Sequence, residues 1–219
     1  FFTMIKNYLK IAVRNLWKHK SFSFINIAGL ALGISACIII FLYVHNELTF
    51  DQYNSKTDRI VRVTTTIYAP ESEIKLATSP TPLAVTLAQD YPEVASTVRL
   101  EASPQVIKTN NNLSKEDNFY KADQNIFSIF DFDFVEGSAT GALQNPNSIV
   151  IDQTMAKKYF GDEPALGKTL VCGEEVLKVT AVVKDRPANS DLHIDALLSS
   201  DFTEEPGWMD DFSLYTYVL

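Results

Sequence analysis

Residues 24–44 read FINIAGLALGISACIIIFLYV, and only Asn26 and Ser35 interrupt the apolar run. As an α-helix these twenty-one positions extend about 32 Å at about 1.5 Å per residue, enough to cross a hydrocarbon layer of about 30 Å. No Lys, Arg, Asp or Glu stands between Lys20 and Glu47. A soluble helix of this length shows a polar face, and this one shows none, so the reading is a transmembrane helix. A cleavable leader has a shorter apolar region, ended by a small-residue cleavage site that is missing here. Ile34-Ser35-Ala36-Cys37 has the form of a lipoprotein processing box. The residues after it, Ile38-Ile39-Ile40-Phe41-Leu42, continue the helix where a mature lipoprotein turns polar.

Charge orients the span. The chain of 219 residues has a net charge of −8, against nucleic-acid binding of the basic kind. That average hides an asymmetry. Residues 1–20 contain Lys6, Lys10, Arg14, Lys18 and Lys20 and no acid, a net +5. The remainder holds 14 basic and 27 acidic residues, and 14 − 27 = −13. By the positive-inside rule the N-terminus is cytoplasmic and the acidic body lies on the far side. Within residues 4–19, Ile5, Leu9, Ala12, Val13, Leu16 and Trp17 share one helical stripe, and Lys6, Lys10, Arg14 and Lys18 recur every fourth position on another. That pattern predicts a basic amphipathic helix at a membrane surface, with those four residues and Lys20 as its lipid-facing cations. Inside the span, Gly29 and Gly33 form a small-xxx-small pair, a candidate for helix packing.

With 46% hydrophobic residues the body has enough apolar material for a core. Residues 58–68 are β-branched and read as one strand. Thr81 as N-cap and Pro82 at the first helical position open a helix over residues 83–90, which Tyr91-Pro92 ends. Residues 94–100 then read as a strand, and together the three make an α+β unit. Beyond residue 101 the elements shorten: a turn at Asn110-Asn111-Asn112, strands over 118–122 and 132–135, and a short helix over 124–130 between them. A strand over 148–152 ends in Asp152, which caps a helix over 153–160 that Gly161 terminates. Residues 169–172 and 175–184 form a hairpin around Gly173-Glu174, followed by strands over 192–198 and 212–219. The Asp/Glu/Pro/Gly-rich loop near 201–211 is the expected subdomain boundary. The last strand stops without turn or cap, as in a fragment.

Catalytic constellations do not emerge. Cys37 lies in the span and Cys172 in the body, so no intrachain disulfide joins them. Metal-ligand spacings of the CxxC or HExxH kind, GxSxG, a P-loop and GxGxxG are all missing from the chain. Asp191, His193 and Asp195 alternate and would share one face of a strand, a weak metal-site pattern that a solvated strand face explains equally well. His19 and His45 flank the span, and acid pairs such as Asp131/Asp133 and Glu174/Glu175 read as solvated residues. The chain is therefore read as not an enzyme, and no catalytic, cofactor-binding or metal-ligating residue is expected in it.

Several segments together resemble the MacB/FtsX-like permease family of ABC transporters. They are Asn147-Ser148-Ile149-Val150-Ile151-Asp152-Gln153-Thr154-Met155-Ala156-Lys157-Lys158-Tyr159-Phe160-Gly161-Asp162, continued by Pro164-Ala165-Leu166-Gly167-Lys168-Thr169-Leu170. Val179-Thr180-Ala181-Val182-Val183-Lys184-Asp185-Arg186-Pro187 with Ser190 and His193 also fits. So do Phe50-Asp51-Gln52-Tyr53 with Asp58-Arg59-Ile60, Ile126-Phe127-Ser128-Ile129-Phe130-Asp131-Phe132, and Arg14-Asn15-Leu16-Trp17-Lys18-His19-Lys20 entering the span. The order is collinear over nearly the whole chain.

The resemblance implies an α+β fold, an N-terminal transmembrane helix followed by a two-lobed periplasmic α+β domain with mixed sheets. Residues 1–20 would be the cytoplasmic helix, 21–46 the span and 47–219 the periplasmic core domain. One lobe would hold 47–100 and 211–219, and the inserted lobe 101–210. The implied function is a permease subunit in a bacterial inner membrane, coupling ATP hydrolysis on a partner ATPase to movement of the periplasmic domain. No cofactor is expected in this chain, since ATP would sit on the partner. The implied partners are that ATPase, a second permease as homodimer or paralogous heterodimer, and membrane lipid, with a periplasmic adaptor and an outer-membrane channel as further candidates. The alternative is a single-pass membrane-anchored sensor or ligand-binding module, and a membrane-anchored enzyme is a distant third.

Overall fold

The computed structural model describes residues 2–49, 52–70, 72–109, 112–187, 189–200, 202, 207–208 and 211–219. Asn110, Asn111, Phe50, Asp51 and most of the expected boundary loop lie outside them. The chain divides between residues 50 and 51 into two units.

The first unit is helical. Helix α1 (Phe2–Lys18) carries the basic stripe, and α2 (Lys20–Leu48) carries the apolar run. His19 between them leaves helical geometry, with φ −115° and ψ 54°. The hydrogen bonds His19 N–H to Asn15 O (3.1 Å) and Ser23 N–H to His19 O (2.9 Å) nevertheless span the joint. α2 continues without a break for 29 residues, long and apolar enough to cross a membrane by length and composition. Thr49 closes its end, donating from both N–H (3.1 Å) and Oγ1 (2.9 Å) to His45 O. None of its side chains is buried within the chain, so this is not the core helix of a soluble fold.

The second unit contains a 3-10 turn (Thr57–Arg59), then β1 (Val61–Val63), β2 (Thr65–Ala69), β3 (Ser72–Leu76), α3 (Leu83–Asp90), β4 (Thr97–Ala102), β5 (Gln105–Thr109), β6 (Asn112–Glu116) and β7 (Phe119–Ala122). It continues with α4 (Ile126–Ile129), β8 (Phe134–Glu136), β9 (Ser148–Asp152), α5 (Gln153–Phe160), β10 (Thr169–Cys172), β11 (Glu175–Val183), β12 (Ala196–Ser199) and β13 (Leu214–Val218). Eleven strands form one mixed sheet in the order β1-β13-β4-β7-β12-β9-β11-β10-β5-β6, with β8 pairing alongside β11. β9 with β11 and β7 with β12 are parallel, and the other pairs are antiparallel. β2 and β3 stand apart as a separate hairpin.

All five residues of β9 are buried, because its two faces feed two different cores. Val150, Leu197, Leu100, Ile126, Ile129 and Tyr217 belong to one, and Ile149, Ile151, Leu198, Met155, Phe119 and Leu177 to the other. α4 covers the first and α5 the second. Asp152 caps α5 as expected: its Oδ1 accepts from Met155 N–H at 2.7 Å. β13 is held between β1 and β4, with Val218 opposite Val61 and Leu214 opposite Glu101. Beneath it Ser79 Oγ donates to Thr216 Oγ1 at 2.8 Å, both residues being fully buried. Arg99 and Asp123 bind through two parallel contacts of 2.9 and 2.8 Å, with the Phe202 ring 4.9 Å from the guanidinium. Glu116, on the edge strand β6, accepts from Lys158 and Tyr159 of α5 and from Ser114.

Several expectations need correcting. The single strand read over 58–68 is a 3-10 turn followed by two strands, parted at Thr64, that belong to different sheets. Thr81 is not the N-cap of α3: Pro82 holds that position without a side-chain cap, and Thr81 is buried instead. The strand read over 192–198 begins only at Ala196, so Asp191, His193 and Asp195 precede it and share no strand face. Asp191 instead pairs with Arg62 at 3.0 Å, and Asp195 accepts from Asn118 Nδ2 at 3.1 Å. The strand read over 94–100 is shifted to Thr97–Ala102.

Two predictions follow from this packing. Gly137 has φ +77°, and a Cβ there would meet the Thr180 carbonyl oxygen at 2.7 Å. Gly137→Ala should therefore destabilise the chain by roughly 2–4 kcal/mol, measured as a lowered urea midpoint at unchanged slope. Burial pushes the Asp152 carboxyl up to about 6, against the Met155 hydrogen bond, with Asp185, Asp195 and Glu116 adding to the rise. The folded form then holds this proton more tightly than the unfolded form, whose value is 3.8. Its contribution to stability falls as pH climbs through that interval. Asp152→Asn should match the parent at the acid end and exceed it above pH 6 in a thermal-melt series; a parallel pair of curves would contradict the assignment.

Candidate functional site

Parts of three of the body segments quoted for their resemblance meet, with residues adjoining them, at one place. They are the stretch from Gln52 to Ile60, the stretch from Ile126 to Phe132, and the stretch from Lys184 to Leu192. At its centre is Arg186, whose guanidinium carbon lies 4.5 Å from the Phe132 ring centre, 5.0 Å from Tyr53 and 5.8 Å from Phe130. A cation among aromatic faces is attracted by each ring quadrupole, by about 0.5–2 kcal/mol depending on desolvation. The rings are themselves anchored. Phe130 stands edge-on to Tyr217 of β13 at 5.1 Å, and Phe132 edge-on to Phe127 at 5.2 Å. Tyr53 Oη shares a 3.1 Å hydrogen bond with Ser190 Oγ, which also donates to Leu192 O at 3.3 Å.

A polar contact set adjoins this aromatic one. Asn54, buried, accepts from Asp131 N–H through Oδ1 at 3.0 Å. The Asp131 carboxylate in turn accepts from Ser55 N–H, and Lys56 Nζ donates to Ser128 O. Backbone and side-chain hydrogen bonds from Ser55 hold the Asp131 carboxyl below its usual value, burial opposes them weakly, and Lys56 helps. Asn54 O also accepts from Thr57 Oγ1 at 2.7 Å and from Thr57 N–H at 3.2 Å, starting the 3-10 turn. Arg62 of β1 reaches Asp191 at 3.0 Å on the far side. Cavities of about 250 and 180 Å³ flank the cluster, with Tyr53 lining both.

Tyr53–Ser190, Ser55–Asp131, Lys56–Ser128, Asn54–Asp131 and Arg62–Asp191 each join segments far apart in sequence. The arrangement acts as a clasp. It fastens the stretch from Tyr53 onward to the sheet through Tyr217 and to the loop after β11.

The sequence-predicted site residues lie elsewhere, in the helical unit. Lys6, Lys10, Arg14, Lys18 and Lys20 are exposed, and Lys20 Nζ lies 5.5 Å from the Trp17 ring centre. A Cβ at Gly29 or at Gly33 would meet nothing within 4 Å, so both leave open space on the surface of α2. Among the described residues no three His, Cys, Asp or Glu side chains are grouped to hold a metal ion. Cys172 is buried, and burial pushes its thiol up to about 11, far from a reactive thiolate. The clasp was not legible as a site, because its members, from Tyr53 to Tyr217, are scattered along the chain. Arg186 and three aromatics within quoted motifs were the available signal.

Comparison with known proteins supplies the context. No curated protein matches the chain. Among solved structures, a domain of a Porphyromonas gingivalis protein assigned as a permease is similar with TM-score 0.61 and 22% identity, over 75% of this chain and 76% of that one. The extracellular domain of the noncanonic ABC-type transporter YknZ from Gram-positive bacteria gives TM-score 0.53 and 15% identity, over 74% and 83%. The periplasmic region of MacB from Actinobacillus actinomycetemcomitans gives 0.47 and 19%, over 62% and 61%. At these identities the first two likenesses concern the fold alone. The sequence matches the MacB-like periplasmic core domain over residues 23–214, most of its length, and the chain belongs to that family.

Proposed function

We propose that this chain is the first membrane span and the periplasmic core domain of a permease subunit in an ABC-type transporter. ATP hydrolysis on a partner subunit would shift the span, and the domain would move with it to export or release substrate. The chain itself carries no catalytic role in this reading, and ATP belongs to the partner. Its setting is a bacterial inner membrane with the N-terminus cytoplasmic, supported by the +5 charge of residues 1–20 against −13 for the rest. The permease would act as a homodimer or paralogous heterodimer, with Gly29 and Gly33 as a close-approach surface. A periplasmic adaptor and an outer-membrane channel complete the candidate partners.

The observation that carries this reading is the clasp. A motion is transmitted only through parts that do not yield. α2 runs from Lys20 to Leu48 without Pro, its glycines lying in the first half, and Thr49 caps it. The chain beyond Gln52 is fastened by the Arg186 cluster and the Asp131 hydrogen bonds. Displacement entering at residue 52 would therefore be passed to the sheet rather than absorbed in a loose loop.

The decisive experiment begins with the full-length permease purified from membranes in mild detergent. A stoichiometric ABC-type ATPase is expected with it. Recovery of the protein alone, or with a kinase, would favour the sensor instead. In the reconstituted transporter, inserting Gly-Gly after Val44 should leave ATP hydrolysis within about twofold while transport falls by about tenfold or more. Arg186→Ala should reduce transport per ATP in the same direction and lower stability by about 1–3 kcal/mol. Coupled transport surviving both changes would show that the span and clasp are not the transmitting parts.

A further inference from the structure

The basic stripe of α1 has no counter-charge within its own helix: the first acidic residue of the chain is Glu47, near the far end of α2. Lys6, Lys10, Arg14 and Lys18 follow each other at four-residue intervals, which makes three successive like-charge neighbours on one helix. Such pairs disfavour a helix in water. Lys6 and Lys18 are twelve positions apart (18 − 6), so the row extends about 18 Å along the axis. Beside it Ile5, Val13, Leu16 and Trp17 are all exposed, between 45% and 70%. An apolar face and an unneutralised cationic row on one helix call for a partner that is greasy below and anionic above. α1 is also joined through the single residue His19 to the 29-residue apolar α2, which brings it to the edge of whatever layer α2 enters.

We propose that α1 is a docking element for anionic phospholipid, binding headgroup phosphates through Lys6, Lys10, Arg14 and Lys18 while its apolar face enters the acyl boundary. The inference rests on reading α2 as a span. It goes beyond that reading in assigning lipid selectivity to one helix. A surface that supplies negative charge removes the repulsion within the row, so the helix is most stable where it is docked. Trp17 marks the depth, since an indole favours the headgroup layer. Zwitterionic lipid would accept the apolar face but leave the row uncompensated. Binding should therefore depend on lipid charge and on salt, at about fivefold per basic residue at low ionic strength.

The test uses the full chain carrying Trp208→Phe, which leaves Trp17 as its one tryptophan. It is reconstituted in nanodiscs of phosphatidylcholine, with or without phosphatidylglycerol. Quenching of Trp17 by lipids brominated near the headgroup reports docking, and quenching by acrylamide reports exposure to water. With phosphatidylglycerol, bromolipid quenching should rise and acrylamide quenching fall by severalfold. Molar salt, or the combined changes Lys6→Gln, Lys10→Gln, Arg14→Gln and Lys18→Gln, should reverse both. Equal quenching in the two lipids, insensitive to salt, would overturn the proposal. So would Trp17 shielded from acrylamide yet untouched by bromolipid, since the helix then lies against protein. Alkaline extraction of the same protein from vesicles reads the span separately. Retention with charge-independent docking overturns only the lipid proposal, whereas release into solution overturns the span reading and this one with it.

Discussion

Strand β9 has no face left for solvent, and much of the body follows from that constraint. A run such as Ser148-Ile149-Val150-Ile151-Asp152 is satisfied only where both sides are covered, as in sheets buried between layers. Ile149 and Ile151 enter one core and Val150 the other, so two separate sets of side chains must be assembled around one strand. The helices differ in kind for this reason. α4 contributes two fully buried isoleucines to the first core, while α5 lays Met155 on the second and turns its lysines outward. Polar atoms that the packing encloses, such as Ser79 and Thr216, are paired with each other rather than left to water.

How much of this was readable in advance depends on whether the signal was local. The β9–α5 stretch was legible residue by residue, because strand, cap, helix and terminating Gly161 each have their own chemistry within a dozen positions. The hairpin of β10 and β11 was legible for the same reason. β5 and β6 were not: Gln105–Thr109 and Asn112–Glu116 mix charged and polar residues, and they hold their place through an edge contact at Cys172 and Ile107. The run from Asp58 to Tyr68 was misread because its β-branched content persists through Thr64, while the change of sheet there is decided by distant partners. Asp191, His193 and Asp195 show the limit of periodicity. They alternate with buried Leu192 and Ile194, yet the strand begins only at Ala196, so the alternation does not make them one strand face.

The clasp was half visible. Its segments could be marked, yet nothing in the order of residues says that Arg186 stands among Tyr53, Phe130 and Phe132. An arginine suits that position better than a lysine, since its flat guanidinium can lie against several rings while still offering N–H groups to a carbonyl. The cluster also gives a half-buried cation its place in an acidic body. Ring faces stabilise the charge through their quadrupoles.

The placing of β13 has a consequence for how the body comes into being. The ribosome delivers β1 and β4 long before Leu214–Val218, and until then each offers an unpaired edge. Partner strands so remote in sequence also make for slow folding. The domain therefore passes through an extended interval in which a gap in its sheet stands open to any stray strand. Chaperones and proteases would meet this protein at that moment, and the pairing of β13 with β1 and β4 is what ends the exposure.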